Sequence, residues 1–428
     1  MRTEQLTIFD YITQPSRRYY ITKPIRLIEL FGGIGSQAKA LKNIGANFEH
    51  YKLVEFDKYA VASYNAIHNT NFTTKDITKT TAKDLEILET DKYCYVMTYS
   101  FPCQDLSIAG KQAGMKKGSE TRSGLLWEVE RLLNETKELP QILLMENVPQ
   151  VHSKKNILDF DKWIEFLQEK GYCNYWKDLN AKDFGIPQNR NRTFMVSILG
   201  SYEYEFPKPF ELKLRLKDML EENVDEKYYL SRRQIDKINS WKSFRNPLEH
   251  IMKKEDICYC LTARGAGENH SGMLLIGEEM DTRNMEKILC DKMLQDYSKK
   301  SIEKIKNNIR DINDCSSTIT ANPQRATIDN GNLIMVLGNY SPSNHNASRI
   351  VDSSGIAPTV MENHGTVTAT NVGLRIRKLT PKECWRLMGF DDESYEKVAK
   401  VNSNSPLYKQ AGNSIVVNVL EEIFKELL

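Results

Sequence analysis

Between Ile25 and about Ile198, short apolar runs alternate with segments whose apolar residues recur at helical spacing. The runs IRLIELF, YKLVEF, YCYVMTYS, QILLMENV and RTFMVSIL read as buried parallel strands. The stretches SQAKALKNIG, YAVASYNAIH, LLWEVERLLNETK and DKWIEFLQEKG read as helices, and two of them close on Gly45 and Gly171. That alternation predicts an α/β open sheet covered by helices. After FPKPF at 206–210 the pattern lapses. From about 213 to 372 the chain is richer in Asn, Ser, Thr, Gly and Lys, with short strand candidates and a helical stretch around 281–310. YCLTARGAGENHSG, SSTITANPQRATIDNG and APTVMENHGTVTA each couple a short Thr-containing strand to a polar loop, which predicts stacked hairpins. Helical patterning returns in LTPKECWRLMGF and GNSIVVNVLEEIFKELL. The expected organisation is a leader over 1–24, the first part of an α/β domain over 25–212, an inserted domain over 213–372, and a return to the α/β domain over 373–428. The Arg17–Arg18 pair of the leader reads as a solvated arm rather than a nucleic-acid contact.

A length of 428 residues suits two domains, and 40% hydrophobic and 9% aromatic residues can fill a sizeable core. The net charge of +2 decides nothing about a polyanionic partner, because phosphate contacts depend on local patches. The eight cysteines form no CxxC pair, so no metal site is expected, and they read as reduced thiols. Cys258 and Cys260, two positions apart, share one face if the segment is a strand. No apolar run approaches the roughly 20 residues that span a bilayer, and the start has no signal-peptide core. These features together predict a soluble cytoplasmic protein.

Candidate chemistry gathers where the predicted strands end. FGGIGS follows the first strand, and glycines there allow a tight turn and close approach of a ligand to the next helix. Glu55 in LVEFD is suited to ribose hydroxyls, Phe56 to an adenine face, and Asp76 in KDIT to an exocyclic amine at a third strand end. Each alone is equally well a capping or surface residue; their succession points to a nucleoside cofactor. SFPCQDLSIAGKQAG places Cys103 after a Pro-fixed turn, where neighbouring cations can promote the thiolate. A polar loop follows it, with Lys111, Lys116, Lys117 and Arg122 available to a phosphate backbone. QILLMENV delivers Glu146 and Asn147 from an apolar strand, where burial raises a carboxyl pKa and suits it to donate a proton. Arg190 and Arg192 alternate at the start of a strand and should share a face. QAGNSIVVNVL reads as a helix N-terminus with Asn413 or Ser414 as cap or cofactor contact.

The segments FGGIGS, LVEFDKYA, KDIT, SFPCQDLSIAGKQAG, SGLLW, MENV, DFGIPQNRNR, RKLTPKECWRLMGF and QAGNSIVVNVL, in this order, resemble the DNA (cytosine-5)-methyltransferase family of bacteria and phages. The resemblance covers nearly all of 25–206 and 373–428. It implies a Rossmann-like, mixed sheet with helices on both faces that binds S-adenosylmethionine. It also implies a smaller loop- and strand-rich target-recognition domain. Cys103 would attack carbon 6 of a flipped cytosine, Glu146 would protonate ring nitrogen 3, and Arg192, with Arg190 behind it, would stand near the carboxylate and the cytosine carbonyl. Phe31, Gly33, Gly35, Glu55, Phe56, Asp76, Pro102, Leu125 and Asn413 match cofactor-lining positions. Gly110 through Gly124 matches the loop that closes over the base, with Gln104, Ser107, Lys111 and Arg122 as DNA contacts. The implied partner is double-stranded DNA, without a membrane, for a single-subunit enzyme. Any cognate restriction endonuclease would act independently. ITANPQR and LTARGAG compete for the Thr-rich stretch that precedes the base-reading loops.

Two other readings were weighed. Methylation of cytosine in transfer RNA belongs to a branch marked by a Cys-Phe-Thr tripeptide, which this chain lacks. A catalytically silent nucleic-acid-binding homologue has no need of the Pro-Cys, Glu-Asn and Arg-x-Arg sets that are present here.

Overall fold

The computed structural model describes residues 17–106, 114–119, 121–229, 251–252, 256–261, 275–279, 336–339, 349–352, 369–371 and 374–428. The chain divides into two compact units. One comprises 1–224, 255–274 and 379–428, and the other comprises 225–254 and 275–378.

The first unit is built on a sheet whose strands are β1 (Ile25–Leu30), β2 (Phe48–Val54), β3 (Cys94–Tyr99), β4 (Ile142–Asn147), β5 (Tyr172–Asn180) and β7 (Asn191–Leu199), in the order β2-β1-β3-β4-β7-β5. β2, β1, β3 and β4 run parallel, whereas β7 is antiparallel to both β4 and β5. RTFMVSIL is therefore not a parallel strand as its apolar pattern suggested. The reason is connectivity: β5 returns as β7 after a short 3-10 turn at Ala181–Phe184, and only antiparallel neighbours can be joined so briefly. Gly185 ends that turn at φ 85°, where the left-handed backbone favours glycine.

Four helices form where the periodicity placed them: α1 (Ser36–Asn43), α2 (Lys58–His68), α4 (Leu126–Glu135) and α5 (Ile157–Glu169); the single turn α3 (Ala82–Leu85) has no counterpart among the predicted stretches. Gly45 and Gly171 follow α1 and α5 at φ 72° and 89°, the left-handed closure their positions implied. The later helices are α6 (Pro381–Arg386), α7 (Asp392–Ala399), α8 (Asn404–Asn413) and α9 (Val417–Lys425). LTPKE starts α6 through a capping box: Thr380 accepts from Glu383 N at 3.2 Å, and Glu383 accepts from Thr380 N at 2.7 Å.

Alternation along the strands buries both faces of the sheet. Ile28, Leu30, Met97, Tyr99, Leu143 and Met145 join Leu126, Val129, Phe160 and Trp163 in one core. The intervening Leu27, Val96 and Leu144 are buried on the opposite side. Each fully buried large apolar side chain stabilises by about 1.5–3 kcal/mol. The fold is thus a mixed, Rossmann-like α/β sheet between helices. The order reverses between β2-β1 and β3-β4, which sets a crevice outside the carboxyl ends of β1 and β3.

The Arg17–Arg18 pair is docked rather than a solvated arm. Arg18 pairs with Glu426, the Arg17 guanidinium lies 5.2 Å from the centre of the Tyr202 ring, and Ile21 N donates to Leu427 O at 2.7 Å. In the second unit β8 (Ile251–Met252), β10 (Leu275–Glu279) and β14 (Leu374–Lys378) form one sheet, ordered β14-β10-β8. β11 (Val336–Asn339), β12 (Arg349–Asp352) and β13 (Ala369–Asn371) form another. The helix expected around 281–310 and most of the three hairpin segments lie outside the described residues. Residues 256–261 are described, and their strand β9 (Cys258–Tyr259) pairs in parallel with β6 (Gln188–Asn189) of the first unit.

Candidate active site

The turn after β1 bends sharply because Phe31, Gly33 and Gly35 all take positive φ, at 55°, 57° and 80°. At Gly35 any side chain is excluded twice over. The backbone is left-handed, and a Cβ would lie 2.4 Å from His68 Nε2 and 2.6 Å from Tyr64 Cε2. At Gly33 the space beyond the backbone is open. Glu55, one residue past β2, braces this turn: its Oε2 accepts from Gly33 N at 3.0 Å and its Oε1 from Asp57 N at 2.8 Å. Burial raises the Glu55 pKa against these amides. Phe56 beside it is 77% exposed.

Asp76 does not end a strand. Its Oδ1 accepts from Thr78 N at 3.0 Å and Thr78 Oγ1 at 2.8 Å, a side-chain turn that competes with strand pairing. The segment still reaches the same edge, since Lys75 N donates to Glu55 O at 2.8 Å. Pro102 and Leu125 are half-buried, and they meet through Ser123, whose Oγ donates to Pro102 O at 2.6 Å. QAGN forms the end of α8 rather than a helix start: Asn413 is its last residue and is exposed, and Ser414 caps the C-terminus with Oγ donating to Ala411 O at 3.0 Å.

Cys103 lies four residues beyond β3, partly exposed. Its loop is tied down by residues on either side. Asn147 Nδ2 donates to Phe101 O at 2.9 Å, and Asp105 Oδ2 accepts from Arg122 N at 2.8 Å and Ser123 N at 3.3 Å. Gln104 and Arg122 contact each other, Arg122 Nη1 donating to Gln104 Oε1 at 2.6 Å. Ser107 and Lys111 lie outside the described residues.

Glu146 closes β4 and is buried, with Arg192 Nε 3.2 Å from its Oε1. β7 makes this contact possible: it pairs Glu146 with Phe194, and Arg192 stands two residues further along the strand. Burial pushes the Glu146 carboxyl up, with Arg192 and Arg190 opposing. Burial and the Glu146 charge also raise the Cys103 thiol, with the same two arginines opposing. The cations therefore limit the rise without reversing it.

Arg190 is buried and Arg192 partly exposed at this point, and they differ in their partners. Arg190 Nη1 donates to Leu261 O at 2.7 Å, and its Nη2 donates to Gly412 O at 3.0 Å and Ser414 O at 2.8 Å. It thereby staples three distant pieces of the chain. Both guanidiniums also touch Cys260, a residue that sequence reasoning noted only for its spacing from Cys258. Its segment begins LTARGAG, whose Leu261 belongs to the first unit; the rest of LTARGAG and all of ITANPQR lie outside the described residues.

Among the described residues no group of three or more His, Cys, Asp or Glu is placed to hold a metal, and no helix is long and apolar enough to cross a membrane. Among the described residues Cys94, Cys103, Cys173, Cys258, Cys260 and Cys384 are thiols and form no disulfide.

The family model for C-5 cytosine-specific DNA methylase matches residues 25–428. The Type II methyltransferase M2.ScrFI of Lactococcus lactis subsp. cremoris is 34% identical over 331 residues, covering 77% of this chain and 65% of that protein. The Orphan methyltransferase M.SPRI of Bacillus phage SPR is 32% identical, covering 94% of this chain and 97% of that one. The structure of the S. pombe Dnmt2 methyltransferase matches with a TM-score of 0.59 at 19% identity, over 94% of this chain and 98% of its own. That of the Entamoeba histolytica methyltransferase EhMeth gives 0.62 at 16%, over 95% and 98%. These two likenesses concern the fold. On the family match and the identity of its relatives, the chain belongs to the C-5 cytosine-specific DNA methylases, the DNA (cytosine-5)-methyltransferase class of enzyme.

Proposed function

We propose that the protein transfers a methyl group from S-adenosylmethionine to carbon 5 of cytosine within a short, specific duplex sequence. The observation that carries this reading is the meeting of Cys103, Glu146 and Arg192 at one edge of the sheet, with Arg192 paired to the carboxyl and both arginines acting on the thiol. A nucleophile has to approach the cytosine ring from its face, which stacking blocks, so the base is flipped out. Cys103 then forms a bond to carbon 6 as the thiolate, a state favoured by Arg192 and Arg190. Glu146, which burial keeps protonated to a higher pH than an ordinary carboxyl, donates its proton to ring nitrogen 3. Arg192 orients that carboxyl and has donors for the cytosine carbonyl. Carbon 5 becomes nucleophilic and would take the methyl group, with S-adenosylhomocysteine as the other product; it then loses its proton to solvent as Cys103 leaves by elimination, and ring nitrogen 3 returns its proton to Glu146.

The cofactor supplies an electrophilic methyl group, and the residues at the β1 and β2 ends suit it. The open space at Gly33 admits a ligand close to the backbone. Glu55 has lone pairs left for ribose hydroxyls, and the exposed Phe56 offers a face to adenine. Asp76 is exposed for an exocyclic amine, and Phe31, Gly35, Pro102, Leu125 and Asn413 complete the set. Residues 213–372 are assigned to target recognition, and Gln104, Ser107, Lys111 and Arg122 to the DNA backbone. In this reading the protein works as a monomer on DNA in the cytoplasm, independently of any endonuclease.

The test is transfer of labelled methyl from S-adenosylmethionine to mixed-sequence duplex DNA, followed by bisulfite sequencing. Protected cytosines in one short motif are expected. Transfer to RNA alone would replace this reading with the transfer-RNA one, and transfer to neither would leave a nucleic-acid-binding homologue.

A further inference from the structure

Cys260 is held beside the catalytic arginines by backbone pairing. β9 lies along β6, Cys258 N donates to Pro187 O at 2.8 Å, and Leu261 N donates to Gln188 Oε1 at 3.0 Å. Gln188 is itself fixed, its Nε2 donating to Leu387 O at 2.7 Å. Cys260 Sγ accepts from Arg190 Nη1 at 3.5 Å and from Arg192 Nη2 at 3.7 Å. The latter guanidinium reaches Glu146 Oε1 through its Nε at 3.2 Å. One sulfur therefore joins both cations and, through Arg192, reaches the carboxyl.

The charge balance of this corner favours such a group. Arg190, which is buried, and Arg192, which is partly exposed, repel each other, and burial together with Arg192 lowers the Arg190 pKa. The carbonyls of Leu261, Gly412 and Ser414 accept from the Arg190 Nη atoms as dipoles but bring no charge, and its Nε is buried without a hydrogen-bond partner among the described residues. Glu146 is the carboxylate at hand, yet in the role proposed above it carries a proton and is then neutral. Burying cations without an anion is costly. The groups facing Cys260 are Arg190 and Arg192, with Cys258 on its own strand. Glu146 and Cys103 lie beyond Arg192, which acts on both. Burial and the Cys384 charge raise the Cys258 thiol, and burial likewise raises those of Cys94 and Cys384. Among the described cysteines whose thiols are shifted, Cys260 is the one that moves down, because the two arginines outweigh its burial. Sγ also lies 3.5 Å from Leu261 O, the acceptor its proton uses in the thiol form.

We propose that Cys260 is a positioning residue whose thiolate is the standing counter-ion of Arg190 and Arg192, which leaves Glu146 free to hold the proton for ring nitrogen 3. This rests on the assignment of Glu146 as the proton donor. Loss of the anion makes the corner more positive, so the Glu146 and Cys103 pKa values both fall. Activity that requires protonated Glu146 then fails at lower pH than before.

Cys260→Ser keeps the shape and removes the charge, and Cys260→Asp restores a charge. For Cys260→Ser the alkaline limb of the kcat profile should move towards acid by about one pH unit, a tenfold loss of rate above it. KM for S-adenosylmethionine should stay unchanged, and Cys260→Asp should return the limb towards its original position. A Cys260→Ser profile like that of the unaltered enzyme, with Cys260→Asp the worse variant, would mean packing alone and overturn the proposal. A second measurement needs neither activity nor a Cys260 variant: iodoacetamide labelling of Cys260 in Cys103→Ser protein, followed against pH by peptide mass spectrometry. A labelling midpoint below that of an ordinary thiol is expected, and a midpoint at or above it overturns the proposal. If the unaltered enzyme methylates no DNA, the functional reading fails while this midpoint still decides the state of Cys260.

Discussion

Burial acts alike on Cys103 and Glu146, raising both pKa values, but with opposite consequences for the reaction. It hinders the thiolate and helps the acid. Turnover should therefore rise with pH as Cys103 ionises and fall again as Glu146 loses its proton, the bell shape of an acid and a nucleophile working together. Cys103→Ser should abolish methyl transfer while calorimetry still detects S-adenosylmethionine binding. Glu146→Gln should lower single-turnover rates by about 10²–10⁴-fold with DNA still bound, as loss of a general acid does; an unchanged rate removes its assigned role. Gly35→Ala combines left-handed strain of about 1–2 kcal/mol with the clash against His68 and Tyr64. It should lower the melting temperature and weaken cofactor binding, whereas Gly33→Ala carries the left-handed strain without a clash and should cost less stability while still weakening cofactor binding. Cys103 and Glu146 were legible in the sequence because each stands where an apolar strand gives way to polar residues. Cys260 was not, since its contacts with Arg190 and Arg192 span 70 and 68 residues and no local pattern announces them. Asp105 is local but equally silent: as an acidic residue in a polar loop it has no signature of the amides it accepts from.

At the scale of elements, the parallel strands and their helices followed from apolar runs and periodicity, but two features did not. β5, YCNYWKDLN, is mostly half-exposed and has no continuous apolar run, and the direction of β7 is set by the short return from β5 rather than by composition. Asp76 was misplaced because its Asx turn looks like a strand end in sequence. A further element-level feature supports the β1 turn from beneath. Glu29 of β1 is buried and accepts from Tyr64 OH of α2 at 2.5 Å, and Tyr64 in turn lies 3.0 Å from His50 Nδ1 on β2. Burial raises the Glu29 carboxyl to about 7, despite the Tyr64 hydrogen bond. The folded state thus holds a proton that the unfolded chain releases at ordinary carboxyl pH. The stabilising contribution is complete below about 4.5 and is lost as pH rises through about 7. Glu29→Gln should flatten this part of the stability profile, gaining on the order of 3 kcal/mol relative to the parent above that range. Urea unfolding at a series of pH values checks it, and parallel profiles for the two proteins would show that Glu29 does not titrate there. Burial pushes His50 and His68 the other way, to about 4 and about 3. They cost stability as pH falls below the ordinary histidine value, so the two effects oppose each other across weakly acidic pH.

For the whole molecule, the change in composition after 206–210 made the inserted segment visible, but a pattern reading does not show that 255–274 belongs with the catalytic unit. That return depends on backbone pairing of β9 with β6, which carries no compositional mark. Replacing residues 275–372 with the matching segment of a relative, and leaving 255–274 in place, should change which sequence is methylated while keeping kcat within about tenfold, one pKa-unit equivalent of free energy. Bisulfite sequencing reads the outcome, and an unchanged motif would move the reading surface elsewhere. The staple made by Arg190 also sets an order in time. Its carbonyl partners at Gly412 and Ser414 are made long after β7, as is α9, which covers α1 with Val417, Leu420 and Phe424. At synthesis rates of about 5–20 residues per second, roughly 10–40 seconds separate β7 from Gly412 on the ribosome. Through that interval the nascent chain has its nucleophile, its acid and both arginines, and β4 can already pair with β7, but Arg190 lacks its Gly412 and Ser414 partners. The enzyme is thus expected to stay silent while it is being translated, and to gain its activity only when α8 and α9 reach the sheet that was made first.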